Sequence, residues 1–573
     1  MDQPSQQQLA DALVFHTSHN FQPSASIPRL SQHVQTFIEN VLSDEVASFL
    51  MKPAIRPPTV KGDLPMVDYF ISSSHNTYLL SKQVLGRCSS QSYINVLSRG
   101  ARCVEIDVWP SKNGPIVTHG YTFSQSIPFS DACIAIGSSI QPDSWPVLVS
   151  LECHVYGEQN QAELVRIMRD AWGSKFVDRE LEGIPKRLPP EMVFGKILVM
   201  VEHYPLLMVN VDEESSSSSS DSESDLEDEQ ISDKQSIKRS RIPPQLRISP
   251  ELAEVGYYFR SMKPSKNWFS RLIPDPPNIL LNISESSLLS LLTSSNPILD
   301  ALIVHAQAHM RRIYPKGLRF TSSNLHPHVF WGSGSHVVAL NWQTYDLGMQ
   351  INEAMFVGTP GWVTKPEWMR TPRGDDDASE RRMKIKGKIV GICNCPPPSD
   401  RKRTADSKAY DAYVKAQLLL PARSSLSQSS SNLPAVQTFN EVKYESEAQR
   451  VQPLTGDLNF AYPTTSTGPI DDAWNNLPWK KKEPKEALIN AEFEWEIWQK
   501  WEELTFLRIT VCEKEFEKDD TLAIFCARIA DIRRAVQEAA EIPASGWRAV
   551  RLLDPTGKDC GSVALMQFSF VKL

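Results

Sequence analysis

A chain of 573 residues is too long to fold about one core, and 41% hydrophobic residues suffice for roughly two to four globular domains. Its net charge of −8 argues against nucleic acid as a partner and denies it a general attraction to anionic membranes, so any membrane affinity must be local or metal-dependent. No apolar run approaches the ~18 residues of a membrane span, and Met1–Gln8 (MDQPSQQQ) lacks the basic and apolar regions of a signal peptide, so a cytoplasmic chain is expected.

Residues 1–62 read as a polar tail followed by helix. Between Ser31 and Met51, Val34, Phe37, Ile38, Val41, Leu42, Val46 and Phe49 recur at near-helical spacing, which predicts a helical pair packed on the next domain. From 63 to 205, short β-branched or apolar runs alternate with helical stretches such as Ala162–Trp172, the pattern of parallel β/α units. Four of those runs, Ile71–Leu80, Cys103–Trp109, Ile116–Phe123 and Val147–His154, end in polar groups, as buried strands do when they carry chemistry at their C-terminal ends. Residues 206–250 change character: between Asp212 and Glu229 there are nine acids, no Lys or Arg, and an unbroken serine run from Ser215 to Ser220. Such a segment cannot bury enough apolar surface to fold and is predicted to be disordered.

The β/α pattern resumes over 251–370, through Leu252–Arg260, Ile279–Glu285 and Leu288–Leu292 to near Trp368. From about 380 to 573 the period falls to two, as in Met383–Ile392, Ala412–Leu420, Phe493–Trp498 and Leu507–Val511, which predicts an antiparallel β-sandwich. A Ser- and Pro-rich stretch at about 421–469 reads as a mobile insertion. The nine cysteines, odd in number and irregularly spaced, favour free thiols, and Cys393 with Cys395 has no second pair to make a zinc site.

The chemistry concentrates in the strand ends of the first half. Asn76, Glu105, Asp107 and Glu152 form an oxygen-only set with three carboxylates, which suits a hard divalent cation such as calcium. His75 and His119 beside them suit proton transfer near neutral pH. The set reads as metal-assisted chemistry on phosphate. A lone H-N or E-x-D is more often a satisfied structural pair, but four strand ends of buried ionisable groups are costly without a metal or partner.

The order SSSHNTYLL (Ser72–Leu80), EID (Glu105–Asp107), HGYTF (His119–Phe123) and SLE (Ser150–Glu152) resembles the X half of a eukaryotic phosphoinositide-specific phospholipase C. NISE (Asn282–Glu285), RIYP (Arg312–Pro315) and VVALNWQT (Val337–Thr344) resemble its Y half. The resemblance spans roughly residues 60–570 and is to a short fungal, plant-like or delta-like form. It implies an α/β fold in which 63–205 and 251–370 are halves of a split TIM-like (β/α)8 barrel, with 380–573 a C2-type sandwich. Residues 1–62 would be a helical EF-hand-like remnant, since no D-x-D-x-D-G calcium loop occurs.

The same resemblance implies calcium held by Asn76, Glu105, Asp107 and Glu152, Glu105 as base, His75 stabilising the pentacovalent phosphate, and His119 protonating the leaving glycerol oxygen. Ser284 and Arg312 would contact phosphate and Tyr314 would stack on the inositol ring. Val84, Phe123, Leu291 and Leu318 match a hydrophobic ridge that meets membrane lipid, and the acidic linker matches segments lying over the barrel mouth. Asp406, Asp411, Glu513, Glu515, Asp519 and Asp520 are candidate calcium ligands of the C2-like domain. Met200 and Glu202 stand where the family carries two lysines for ring phosphates.

The implied function is calcium-dependent cleavage of phosphoinositides to diacylglycerol and inositol phosphates, through a cyclic phosphodiester, by a cytoplasmic enzyme reversibly associated with membranes. A catalytically silent relative that binds lipid or partners is the alternative, favoured by Met200 and Glu202 and opposed by the intact histidines and metal ligands. A glycerophosphodiester phosphodiesterase on a similar barrel would explain the X half but neither RIYP nor the sandwich. No segment resembles a G-protein-binding coiled coil, SH2 or SH3 unit that would name a regulator.

Overall fold

The computed structural model describes residues 28–573 apart from 81–86, 121–125, 186, 205–246, 274–275, 294–295, 318, 320–321, 372–380, 422–440, 462–489 and 538–545. The expected acidic linker, Val84, Phe123 and Leu318 therefore lie outside the described residues. Of the described residues, one compact unit takes in those within Thr59–Gly374 and the other those up to Pro58 with those within Asp375–Leu573.

The first unit is built on eight strands: β1 Tyr69–Ser74, β2 Cys103–Trp109, β3 Val147–Cys153, β4 Ile197–Glu202, β5 Arg260–Met262, β6 Ile279–Ser284, β7 Met310–Tyr314 and β8 Val337–Leu340. Neighbours in chain order pair in parallel, and β8 returns to pair with β1, closing an eight-stranded barrel. Connections between parallel neighbours must cross over, and helices such as Gln91–Ser98, Glu158–Trp172 and Glu285–Leu292 make those crossings. In Glu158–Trp172 the buried residues Gln161, Leu164, Val165, Met168 and Trp172 follow the 3.6-residue repeat. That helix stops where Gly173 takes φ 50°.

The barrel interior is filled from alternate strand positions: Ile71, Cys103, Leu148, Leu198, Met200, Leu280, Met310 and Val337 share one buried cluster with Tyr69 and Trp362. Burial of each large apolar side chain stabilises by roughly 1.5–3 kcal/mol, so this packed plug leaves chemistry only to the ends of the strands.

The second unit is one antiparallel sheet, as the period-two pattern predicts. Its main strands are β9 Arg382–Cys393, β10 Tyr410–Leu419, β11 Ala491–Trp498, β12 Phe506–Glu513, β13 Asp520–Arg528, β14 Trp547–Leu553 and β15 Asp559–Lys572. They run in the order β10–β12–β13–β14–β15–β9, with β11 on the edge of β9, and β13 meets β14 by the single pair Ile524–Leu553.

Two expectations are corrected in this unit. The N-terminal helical segments Gln32–Thr36, Phe37–Val41 and Val46–Leu50 do form, but they belong to the unit of this sheet and not to that of the barrel that follows them in sequence. Their stripe of Val34, Phe37, Ile38 and Phe49 packs on Val390, Cys393, Trp547, Val563 and Leu565, with the Phe37 and Trp547 rings 4.8 Å apart edge to face. The stretch 421–469 is not loop throughout. Glu441–Glu445 and Gln449–Val451 add to β10, and Leu458–Asn459 adds to β9, because those strands present unpaired backbone edges.

Candidate active site

On β2 every second side chain points into the barrel, so Cys103 packs in the core while Glu105 and Asp107 rise above it towards the C-terminal mouth. Asp107 lies beside Glu152 in the β2–β3 register. Carboxylate oxygens of Glu105, Asp107 and Glu152 come within 4.8 Å of one another, the one such group of acids among the described residues. Glu105 and Asp107 are buried, whereas the Glu152 side chain is 47% exposed.

Immediately after β1 the chain turns through Asn76 at φ 46°, a left-handed conformation that asparagine tolerates better than most residues. The turn aims the Asn76 backbone N–H at Glu105 Oε2, 2.8 Å away. Strain at a site-bearing turn is a common mark of function.

The first-half cluster is completed from the second half of the barrel. Arg312 on β7 donates from Nη2 to Glu105 Oε1 at 2.5 Å and from Nη1 to Asn282 Oδ1 at 3.1 Å. Burial opposes its charge, but Glu105, Glu152 and Asp107 prevail and hold the guanidinium above its ordinary pKa. Asp107 shows the opposite balance: burial and then its carboxylate neighbours Glu152 and Glu105 push it well above the usual range. Burial also lowers the pKa of His75, against the pull of Glu105, so its imidazole is neutral near pH 7.

The ring of His75 is held by Asn341, whose Oδ1 lies 3.1 Å from Nδ1. Because Asn341 Nδ2 donates to the Ser323 carbonyl, its Oδ1 accepts from Nδ1–H and leaves His75 Nε2 facing Glu105 Oε2 at 3.9 Å.

Sequence reasoning missed four of these partners. Tyr78 donates to Asp107 Oδ2 at 2.6 Å and lies 3.1 Å from Asn76 Oδ1, Tyr93 donates to the Glu105 carbonyl, and Asn282 and Asn341 orient Arg312 and His75. Tyr78, Asn282 and Asn341 sit inside the quoted motifs, so the signal was present. Tyr93, on the helix Gln91–Ser98, offers no local pattern that points to the site.

The other candidates fall around this centre. His119 follows the short strand Ile116–Val117, which pairs with β2, and the Thr118 N–H reaches the Asp107 carbonyl, so His119 stands beside the mouth next to Asp107. Ser284 and Tyr314 are paired at the ends of β6 and β7, where Ser284 also caps the helix Glu285–Leu292 and Leu291 is half-buried. Met200 is buried in the barrel core beneath the mouth, while Glu202 is at the rim and accepts a hydrogen bond from Tyr204 at 2.8 Å.

In the second unit, no three of Asp406, Asp411, Glu513, Glu515, Asp519 and Asp520 bring carboxylate oxygens within 4.8 Å of one another. Instead Glu513 is ion-paired with Arg401 at 2.6 Å, Asp411 with Arg450 at 3.3 Å, and Asp519 accepts from Tyr413 and the Glu515 N–H. Asp411, Glu513 and Asp519 thus each have at least one oxygen engaged from a neighbouring strand or loop.

The barrel site does fit a divalent metal. Asp107 Oδ1 is buried with no hydrogen-bond partner, beside two further carboxylates and the Asn76 side chain. Lone pairs without donors, in an all-oxygen set, are what a hard cation fills.

Residues 63–203 match the model for the phosphatidylinositol-specific phospholipase C X domain, and residues 252–368 that for the Y domain. The chain is 36% identical over 400 residues to 1-phosphatidylinositol 4,5-bisphosphate phosphodiesterase delta-4 of Xenopus laevis, covering 66% of this chain and 49% of that protein. It is 33% identical over 387 residues to the delta-1 protein of Homo sapiens, covering 65% and 50%. The chain thus spans about half the length of these curated relatives. The crystal structures of L. pealei and S. officinalis PLC21 align with TM-scores of 0.63 and 0.65 at 20% identity, over 90% and 99% of this chain and 56% and 66% of theirs, and share its fold.

Proposed function

We propose that this chain, which belongs to the phosphoinositide-specific phospholipase C family through its X and Y domains, is a calcium-dependent phosphodiesterase that cleaves phosphoinositides to diacylglycerol and inositol phosphates. The observation that carries this reading is the meeting of Glu105, Asp107 and Glu152 with Arg312, from both halves of the barrel, at the strand ends. Calcium held by Asn76, Glu105, Asp107 and Glu152 would lower the pKa of the inositol 2-hydroxyl and neutralise phosphoryl charge.

The chain's own groups divide the remaining work. Glu105 takes the proton of the 2-hydroxyl as that oxygen attacks phosphorus. Arg312 and Ser284 hold phosphate, and Tyr314 stacks on the inositol ring. His75 is neutral in the free chain, and an incoming phosphate favours its imidazolium form, which donates from Nε2 to a phosphoryl oxygen. His119 gives a proton to the departing glycerol oxygen, and the cyclic phosphodiester is opened by water in the reverse sense. No helix among the described residues is long and apolar enough to cross a membrane. Reversible docking on a bilayer, with Leu291 contributing to an apolar rim, brings the mouth to its substrate.

Incubation of the purified protein with radiolabelled phosphoinositides across a calcium series tests the proposal. Calcium-dependent release of water-soluble inositol phosphates, a cyclic product among them, is expected. No release at any calcium level would sink it.

A further inference from the structure

The carboxylates of the mouth are followed along the same strands by a pair of stacked rings. On β2 the alternation that sets Glu105 and Asp107 above the core continues to Trp109, and His154 follows Glu152 by two residues, just past the end of β3. Asp107 pairs with Glu152 across the two strands, and one step further along them the rings of Trp109 and His154 stack with centroids 3.8 Å apart and planes 12° from parallel. His154 Nε2 lies 3.0 Å from Glu152 Oε1. One imidazole therefore touches both a carboxylate of the candidate metal set and the Trp109 indole.

The same indole meets the turn that carries His119. Ile116 and Val117 pair with Trp109 and Val108, the Thr118 N–H reaches the Asp107 carbonyl at 3.3 Å, and His119 and Gly120 follow. At Gly120 a Cβ atom would stand 2.2 Å from Trp109 Cζ2 and 2.8 Å from Cη2, far inside the ~3.5–4.0 Å of a carbon–carbon contact. Gly120 does not take a positive φ, so close approach and not backbone conformation demands glycine there. The Trp109 ring thus occupies the space of a side chain at the residue directly after the one assigned as leaving-group acid.

We infer that Trp109 is a positioning residue for His119: its indole, stacked on His154, is the surface on which the turn of His119 and Gly120 rests, and it fixes the imidazole relative to the carboxylates. The inference rests on the phospholipase C reading above. In the first step of that reaction the inositol 2-oxygen bonds to phosphorus, the bond from phosphorus to the glycerol oxygen breaks, and the glycerol oxygen takes the proton that His119 gives. A ring that sets where His119 stands governs the departure of an alkoxide, which needs that proton, and has little hold on a leaving group that departs as a stable anion.

The full chain is assayed with calcium on vesicles containing phosphatidylinositol and its 4,5-bisphosphate, and on soluble para-nitrophenyl esters with the same two head groups, whose phenolate leaves without a proton. Gly120→Ala, which forces the turn and the indole apart, is expected to lower kcat/KM on the lipids by about tenfold or more and on the aryl esters by less than about threefold, with the calcium-induced rise in melting temperature kept. Trp109→Phe, which keeps an aromatic face for His154 but removes the ring edge next to Gly120, is expected to show the same selective loss, and in its background Gly120→Ala should cost less than it does in wild type. Equal losses on lipids and aryl esters, or no loss on either, in whichever single variant folds overturn the inference while leaving the phosphodiesterase reading intact. Failure of wild type to hydrolyse either lipid overturns that reading and the inference with it.

Discussion

The sharpest consequence of the barrel site can be measured without any substrate. Asp107 is buried, one of its oxygens is bonded by Tyr78, the other has no partner, and oxygens of Glu105 and Glu152 lie within 4.8 Å. Two like charges at that separation repel by roughly 1–3 kcal/mol at an effective dielectric of about 60 to 20, and the half-exposed Glu152 belongs at the weak end of that range. Asp107→Asn keeps the shape and an oxygen for Tyr78 while removing the charge. In chelator it should therefore stabilise the barrel by about 1–3 kcal/mol, which for a unit of this size raises the melting temperature by roughly 2–8 °C. In calcium wild type gains about 2.7 kcal/mol at a hundred times Kd and the variant loses that gain, which offsets or reverses the difference. The sign with pH agrees. Folding holds a proton on Asp107 above its usual range, so the metal-free chain loses stability as pH rises beyond the ordinary aspartate value. Thermal denaturation followed by circular dichroism in EGTA and in calcium reads all of this. An unchanged or lower melting point in EGTA, together with an undiminished response to calcium, would refute the assignment of Asp107 as a ligand.

The remaining predictions concern the same molecule away from that carboxylate. His119→Ala should abolish turnover while preserving the fold and the calcium-induced shift in melting temperature; retention of a tenth or more of the wild-type rate removes it from the role of leaving-group acid. Asn341→Leu should free the His75 ring, lowering kcat more than it changes KM and moving the pH profile, and a profile identical to wild type would show that Asn341 does not position the imidazole. Deletion of residues 212–229, whose nine acids repel an anionic surface, should raise activity on anionic vesicles at low salt, and unchanged rates at low and moderate salt would leave them a spacer. Burial raises Glu353 to about 7 despite Arg99 at 3.1 Å, so folding favours its protonated form and stability should fall as pH rises from about 4.5 to 7; Glu353→Gln should flatten that slope in denaturant midpoints, and an equal slope in the variant would assign the dependence elsewhere.

The barrel was legible in the sequence because its information is local. Each strand is a short apolar run, the inward and outward residues alternate, and the polar groups fall where a run ends, so Glu105, Asp107 and Glu152 declare themselves without knowledge of their neighbours. Partnerships were less legible because closure of the barrel creates them. Arg312 and Glu105 are 207 residues apart, and His75 and Asn341 are 266 apart. The same limit applies to the acids of the second unit. Local density alone does not show that Arg401 takes one oxygen of Glu513 and Tyr413 one oxygen of Asp519, both from more than a hundred residues earlier in the chain. The stripe on Gln32–Val41 likewise announces burial, but the expectation that it packs on the next domain fails because its cover, from Val390 to Leu565, lies about 350 or more residues downstream.

Arg312 carries a further step. It reads as a phosphate contact, yet its guanidinium is bonded to Glu105 and Asn282. Glu105 is in turn fully engaged, with Oε1 on Arg312 and Oε2 on the Asn76 N–H, facing His75. A cation bound to Glu105 draws on the same lone pairs and weakens the hold on Arg312, which frees the guanidinium for an anion arriving at the same mouth. Phosphate, once held by Arg312, leaves the Glu105 carboxylate with less positive charge nearby and so strengthens its affinity for the cation. On the proposed reading the two ligands would reinforce one another through a single carboxylate, and by linkage the gain in calcium affinity caused by a phosphate head group would equal the gain in head-group affinity caused by calcium.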